Sequence, residues 1–324
     1  MKNEFTTVID AGGRYGLHPS WKKFSGELNY HLFEPDKDES NRLSKKYINR
    51  PDIIVSDLAL SDKKQTLCLY HLHNSAMSTC NTRNKIVSWF KQEREHEEDV
   101  VGYSDVESTT IDGYCKNNNI DVDFLKLDTE GSEYEILKGS ELQLTKNILG
   151  VRSEVSFDNI FENSALFSTM HDFMLDHGYY LLNIDYDGKG DFKNPAVNCN
   201  GKYGVLMYCD AVWLRRIDWL FDSMHKDTVT NTIKYAVFCI NNNAVDVALE
   251  VLLSAKNDHN INFSAIVDTK LYNHLDYLIH KHFYGLKWQP GQLISNHQKI
   301  YYNIFGKKML ETQEYNQSNM MNPT

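Results

Sequence analysis

Thr7-Val8-Ile9-Asp10-Ala11-Gly12-Gly13-Arg14-Tyr15-Gly16 is the stretch on which the fold turns. Its apolar pair Val8-Ile9 runs into an acid and a glycine-rich turn, the pattern of a buried strand that stops at a tight bend. Glycine lets the backbone fold sharply there and lets a ligand come close to it. A second apolar segment, Tyr30-His31-Leu32-Phe33, ends in Glu34-Pro35. Glu34 falls 18 residues after Gly16. That is close to the separation at which an α/β sheet sets a ribose-binding acid at the tip of its second strand. The two halves describe a nucleoside site at the carboxyl ends of parallel strands; a plain strand-turn-helix without a ligand is the competing interpretation.

The glycine spacing selects among nucleosides. A dinucleotide fold uses G-x-G-x-x-G, whereas Asp10, Gly12 and Gly16 give D-x-G-x-x-x-G, with Gly13 inside it. An anion at the strand end repels a pyrophosphate and attracts an amine or a sulfonium. S-adenosylmethionine carries both cations and a ribose, so Asp10, Gly12, Gly13, Gly16 and Glu34 are expected to bind it, and NAD is disfavoured.

The 324 residues suffice for one large domain or a domain with a smaller companion. With 34 basic against 44 acidic residues the formal net charge is −10, which argues against nucleic acid and against an anionic membrane surface. Cys68, Cys80, Cys115, Cys199, Cys209 and Cys239 are scattered without a C-x-x-C pair. They are expected to be free thiols in a reducing compartment, and no secretory leader or membrane-spanning run is evident, so a cytoplasmic location is expected.

Along the chain, the first helix is expected from Leu17 to Phe24, starting near Pro19, and a second from Pro35-Asp36 to Tyr47. Asp52 to Ser56 is a third strand, and Asp57 at its end is placed to accept from an adenine amino group or to sit in water. Leu58 to Leu72 is expected to form a hairpin around Ser61-Asp62-Lys63-Lys64. His71 and His73 share a strand face, open to metal or to solvent. Asn74 to Asp99 is polar, carries Val87-Ser88-Trp89-Phe90, and ends in a charge run; it is either a solvated face or a lid. An extended segment follows from Val100 to Ile111, then a helix from Asp112 to Asn118. Asp123 to Asp128 is the fourth strand. Its tip, Asp128-Thr129-Glu130-Gly131, feeds a helix from Ser132 to Leu137, closed by Gly139, with Ser132 and Glu135 at capping-box spacing. Ile148 to Phe157 is a fifth strand and Ala165 to His177 a helix; Tyr179 to Ile184 and Gly204 to Leu214 are expected as an antiparallel pair at one edge. This alternation is that of an α/β, doubly wound, mostly parallel Rossmann-like sheet with an antiparallel edge, over residues 1–216. Residues 217–324 read as a helical C-terminal extension, with helical periodicity at Ile217 to Met224, Thr228 to Ile240, Ala244 to Ala255 and Leu271 to His282, and a frayed tail from Glu311.

Phe124-Leu125-Lys126-Leu127-Asp128-Thr129-Glu130-Gly131-Ser132-Glu133-Tyr134-Glu135-Ile136-Leu137-Lys138-Gly139 resembles the hallmark of FkbM-type methyltransferases: an apolar strand, D-x-E-G, an acidic helix start and L-K-G. Val8-Ile9-Asp10, Phe33-Glu34-Pro35, Ala59-Leu60-Ser61-Asp62, Thr110-Ile111-Asp112 and Gly150 to Glu154 fall in the family's order, so the resemblance spans about residues 5 to 215. It implies a class I methyltransferase fold, S-adenosylmethionine as cofactor, and methylation of hydroxyls on glycans or polyketides.

Methyl transfer to an alcohol needs an in-line arrangement and a base for the departing proton. Asp128, Glu130 and Glu154 at strand tips and His18 beside the glycine turn are the candidates. Asp128 is expected to face the methionine end of the cofactor or its methyl, and Glu130 to tie down the strand-to-helix turn, with helix-dipole stabilisation as the alternative for Glu130 and Glu133. Arg152 is expected to neutralise Glu154. Asp128 and Glu154 sharing a divalent metal is a further alternative, and no metal is expected. The acceptor is expected to be a glycan or other hydroxylated small molecule. The pair Gly13-Arg14 replaces the family's usual alanine-asparagine, which motivates the alternative of a degenerate methyltransferase fold acting as a binding or scaffold protein.

Overall fold

The computed structural model of the chain describes residues 5–22, 28–84, 95–185, 191–192, 205–222, 228–263, 270–285, 300–301 and 304–305. The expected helix end at Phe24, the Val87-Ser88-Trp89-Phe90 cluster, Lys91 to Arg94 of the charge run, Cys199 and the tail from Glu311 lie outside the described residues. Two compact units divide the chain: one runs through Phe5–Lys23 and Leu28–Trp219, the other contains Leu220–Thr324 with two short N-terminal pieces.

The first unit carries, in order, β1 (Thr6–Ala11), α1 (Pro19–Lys22), β2 (Leu28–Phe33), α2 (Lys37–Lys46), β3 (Ile53–Ser56), β4 (Ala59–Leu60), β5 (Thr66–Leu72), β6 (Val100–Thr109), α3 (Ile111–Asn118), β7 (Phe124–Leu127), α4 (Glu133–Lys138), α5 (Glu141–Lys146), β8 (Gly150–Ser156), α6 (Phe167–Asp176), β9 (Tyr179–Asp185), β10 (Asp191–Phe192), β11 (Val205–Leu206) and β12 (Tyr208–Arg215). A seven-stranded sheet has the order β3-β2-β1-β7-β8-β12-β9. Its first five strands are parallel, and β12 runs antiparallel between β8 and β9. The reversal of strand order at β1 and β7 leaves a crevice at their carboxyl ends, where open α/β sheets hold ligands.

Alternation along the strands separates two faces. Ile9, Leu125, Leu127, Val151, Val155 and Trp213 pack in one core with Ile111, Ile136, Leu144 and Met170 from α3, α4, α5 and α6. The opposite face carries Asp10, Lys126 and Arg152, aligned across β1, β7 and β8. Arg215, 2% exposed, closes the sheet's other end by donating to the carbonyls of Ile148 and His177 and to the Tyr179 hydroxyl.

The expected hairpin from Leu58 to Leu72 does not form. β4 pairs parallel with β6 and β5 pairs antiparallel with it, so β6 lies between them. The turn after Leu60 is real, but the strand that fills the gap comes from forty residues later. The capping box also fails: the Ser132 side chain makes no cap to its helix and accepts instead from Asn81 Nδ2 at 2.8 Å.

α7 (Ile217–Leu220) ends the first unit, with only Leu220 beyond the boundary, and the second unit carries α8 (Thr228–Asn241), α9 (Val245–Asn257) and α10 (Lys270–Gly285). α8 buries every residue from Thr232 to Cys239, so it is surrounded rather than amphipathic. Among the described residues no helix is long and apolar enough to cross a membrane, and the described cysteines Cys68, Cys80, Cys115, Cys209 and Cys239 are free thiols.

Gly139, the last residue of the L-K-G signature, is held by close packing. A Cβ there would stand 2.2 Å from the Ser61 carbonyl oxygen. Gly139→Ala is expected to lower unfolding free energy by about 1–3 kcal/mol, as overpacking against backbone does. Gly102→Ala on β6, where a Cβ meets nothing within 4 Å, is expected to be neutral. Thermal melts of the two variants check the contrast.

Candidate active site

The turn after β1 is pressed between its neighbours. The Gly12 and Gly13 N–H groups both donate to the Phe33 carbonyl, at 3.1 and 3.2 Å, and the Asp128 N–H donates to the Ala11 carbonyl at 3.1 Å. Gly12 has a φ of +78°, and a Cβ on it would lie 1.7 Å from the Asp128 carbonyl oxygen. Only glycine lets the turn rest on the tip of β7.

Beneath this junction lies Lys126. Its ammonium stands 3.1 Å from Asp10 Oδ1 and 3.2 Å from Asp128 Oδ2, and donates to the Gly12 carbonyl at 3.3 Å. The Tyr30 hydroxyl donates to the other Asp10 oxygen at 2.5 Å. Burial pushes the Asp10 carboxyl up from its ordinary value and Lys126 pulls it back. Burial would lower Lys126, but the two carboxylates outweigh it and raise the ammonium above its usual range. Asp10 is therefore a buried, paired anion, 0% exposed and off the cleft wall. The expectation that it faces a ligand's cation is corrected: the strand register sets a lysine opposite it, and a buried charge takes the nearest partner.

The β7–α4 turn is the second wall. Glu130 and Gly131 have φ of +57° and +102°. Glu133, 5% exposed, holds this shape by accepting from the Thr129 N–H at 2.6 Å, the Thr129 hydroxyl at 2.9 Å and the Gly131 N–H at 3.0 Å. Glu133, not Glu130, ties down the turn. From the segment after β5, the Thr79 hydroxyl and Asn81 Nδ2 donate to the Glu130 carbonyl at 2.6 and 3.2 Å. The Glu130 carboxylate is left near Arg83, at 3.6 Å, while Arg83 pairs more closely with Glu98 at 2.9 Å. Burial pushes Glu130 up to about 7, against the pull of Arg83.

A cleft partly open to solvent lies between these walls. It brings together Gly12, Glu34, Asp128 and Glu130, with Arg14 at one side and Leu58, Leu60 and Leu69 as apolar surface. Glu34, 5% exposed, accepts the Asp36 N–H on Oε1 at 3.1 Å. Among the described residues its second oxygen has no partner. Burial raises its carboxyl to about 7, with Arg14 pulling it down. Arg14 itself is bound by Asp36 at 3.3 Å.

Other expected residues stand elsewhere. Gly13 packs over Leu32, where a Cβ would come within 2.4 Å, and Gly16 packs against the Tyr47 hydroxyl. His18 Nδ1 meets the Ser20 hydroxyl at 2.7 Å at the start of α1 and is off the cleft wall. Asp57 is exposed beyond β3 and also off that wall. Glu154 lies on β8 outside the cleft lining. Burial, and then the charges of Glu130, Asp128 and Glu133, hold its carboxyl well above the ordinary value. Arg152 does not neutralise it, because its guanidinium meets Asp185 at 2.6 Å and Asp210 at 2.7 Å. Among the described residues no group of three acids, histidines or cysteines is placed to hold a metal. His71 Nε2 is 2.9 Å from the Ser104 hydroxyl, whereas His73 meets the His96 ring edge-on.

Sequence reasoning missed Lys126, although a lysine inside the buried run Phe124-Leu125-Lys126-Leu127 demands an anion. No sequence signal marks Thr79, Asn81 or Arg83, whose contacts join segments some fifty residues apart.

Known proteins supply the last finding. The FkbM structure from Methylobacillus flagellatus KT is 13% identical, with a TM-score of 0.36; the alignment covers 66% of this chain and 44% of that one. A putative RNA methyltransferase from Pyrococcus horikoshii is 10% identical over 64% of this chain and 74% of that one, TM-score 0.33. TrmK from M. capricolum, in complex with S-adenosyl-homocysteine, is 12% identical over 85% and 93%, TM-score 0.31. No curated protein matches the sequence. The model of the methyltransferase FkbM domain matches residues 11–181, more than half of the chain, and the chain belongs to that family.

Proposed function

We propose that the chain transfers a methyl group from S-adenosylmethionine to a hydroxyl of a glycan or another hydroxylated small molecule. The observation that carries this is one cleft lined by Glu34, which is buried, and Glu130, which is half-buried, with both carboxyls raised to about 7. The donor set fits the cofactor. The unpartnered Glu34 oxygen suits ribose hydroxyls, Leu58, Leu60 and Leu69 suit an adenine ring, and Asp128 suits a cationic end. The cofactor supplies an electrophilic methyl on a sulfonium. The chain's residues hold and orient, and Glu130 takes the proton from the acceptor hydroxyl.

Glu130 fits the base because a carboxyl near 7 is both partly ionised at neutral pH and basic enough to accept a proton. The acids around the cleft and the net charge of −10 disfavour a phosphate-rich acceptor. A cytoplasmic location accords with the free cysteines among the described residues.

Two outcomes are expected. Glu34→Ala weakens S-adenosylmethionine binding about tenfold or more by calorimetry at pH 8, as loss of a charge-assisted contact does; an unchanged dissociation constant removes Glu34 from the site. The unliganded protein also carries a pH signature. Folded Glu34 keeps its proton up to about 7, while the unfolded chain loses it near the ordinary value of 4.5. The folded state therefore binds more protons in that window, and its stability falls as pH rises through it. Glu34→Gln flattens this decline in thermal melts.

Glu130→Gln is expected to lower turnover about a hundredfold while cofactor affinity stays within about threefold. The wild-type rate rises with pH through about 7. A panel of tritiated-methyl assays on oligosaccharides and polyols reads this. Cofactor bound with no methyl donated to any member favours the scaffold alternative.

A further inference from the structure

We infer that Lys126 is a positioning residue that tempers the pull of Asp128 on the methyl donor and so sets the preference between charged donor and neutral spent product. This rests on the methyl-transfer reading of the cleft. The ammonium of Lys126, with only 11% of its side chain exposed, lies 3.2 Å behind the Asp128 carboxylate. Asp128 lines the cleft with 46% of its side chain exposed. Asp10, on the far side at 3.1 Å and 1% exposed, balances the lysine inside the fold. The triad thus presents one net negative charge, with a cation close behind the carboxylate that faces the ligand.

That arrangement has a consequence for rate. Methyl transfer discharges the sulfonium, so an anion near sulfur stabilises the starting complex more than the transition state. Binding energy realised in the ground state alone does not speed the chemical step. A bare Asp128 would over-bind the donor. Lys126 weakens its field while also holding the Gly12 carbonyl at 3.3 Å, so the same residue fixes the turn and moderates its charge.

S-adenosylmethionine and S-adenosylhomocysteine share every contact except the methyl and the positive charge on sulfur. The ratio of their affinities therefore reports the field at sulfur and cancels a general loosening of the site. Lys126→Gln alone would strand Asp10, so the test uses Asp10→Asn with Lys126→Met, which removes the buried pair together and keeps an acceptor for Tyr30. Calorimetry on the full chain is expected to show this double variant shifting the ratio toward S-adenosylmethionine by roughly threefold or more, the size of one altered charge contact at a solvent-accessible site. Asp128→Asn, at an exposed side chain, is expected to shift the ratio the opposite way. If melts show that the double variant does not fold, Asp128→Asn alone decides. Both ligands weakened equally, with the ratio unmoved, overturns the inference and leaves the cofactor reading standing. Wild-type protein that binds neither ligand overturns both.

Discussion

One buried ammonium between two carboxylates and a peptide carbonyl organises the carboxyl edge of this sheet. Lys126 reaches Asp10 on β1, Asp128 beyond β7 and the carbonyl of Gly12 in the turn. Removing one partner of such a group leaves an uncompensated buried charge, which costs about 3–5 kcal/mol. The tip of β7 and the glycine turn of β1 are therefore fixed relative to each other by a single side chain. The backbone adds to this: Asp128 N–H on the Ala11 carbonyl, and a glycine where any Cβ would strike Asp128. The cleft inherits its shape from that junction.

The second wall is built differently. Two successive residues with positive φ, one of them Glu130, cost about 1–3 kcal/mol where the residue is not glycine. Glu133 offsets this with three accepted hydrogen bonds, and Thr79 and Asn81 hold the Glu130 carbonyl from outside. The backbone of Glu130 is thus fixed from both sides, and its side chain lines the cleft with the carboxylate 3.6 Å from Arg83.

The sheet was legible because its signals are local: apolar runs, glycine turns and helix stops recur at the spacing of a doubly wound fold. β1, β2, β3, β7 and β8 lie within a few residues of where periodicity sets them. What failed was non-local. The Leu58 to Leu72 segment looked like a hairpin because nothing nearby reveals that β6 inserts between β4 and β5. Asp10 looked like a ligand for a cation because its partner is 116 residues away in sequence and one strand away in space. Glu34, Asp128 and Glu130 share a cleft, as strand tips do in such sheets. A Cβ at Gly16 would strike Tyr47 and one at Gly13 would strike Leu32, so packing already requires part of the glycine pattern.

The raised carboxyls follow from how cations are distributed. On the polar face of the sheet Lys126 is taken by Asp10 and Asp128, and Arg152 by Asp185 and Asp210. Arg14 is held by Asp36, and Arg83 is shared between Glu98 and a more distant Glu130. Each of these four cations is engaged most closely by an acid other than Glu34 or Glu154, and Glu130 gets the weaker part of one. Burial then raises all three carboxyls, opposed only by the Asp36 N–H and Arg14 at Glu34 and by Arg83 at Glu130. Among the described residues Glu34 and Glu154 make no ion pair and Glu130 keeps only the longer contact to Arg83, so three of the acids that burial raises at this edge are ones its cations leave over.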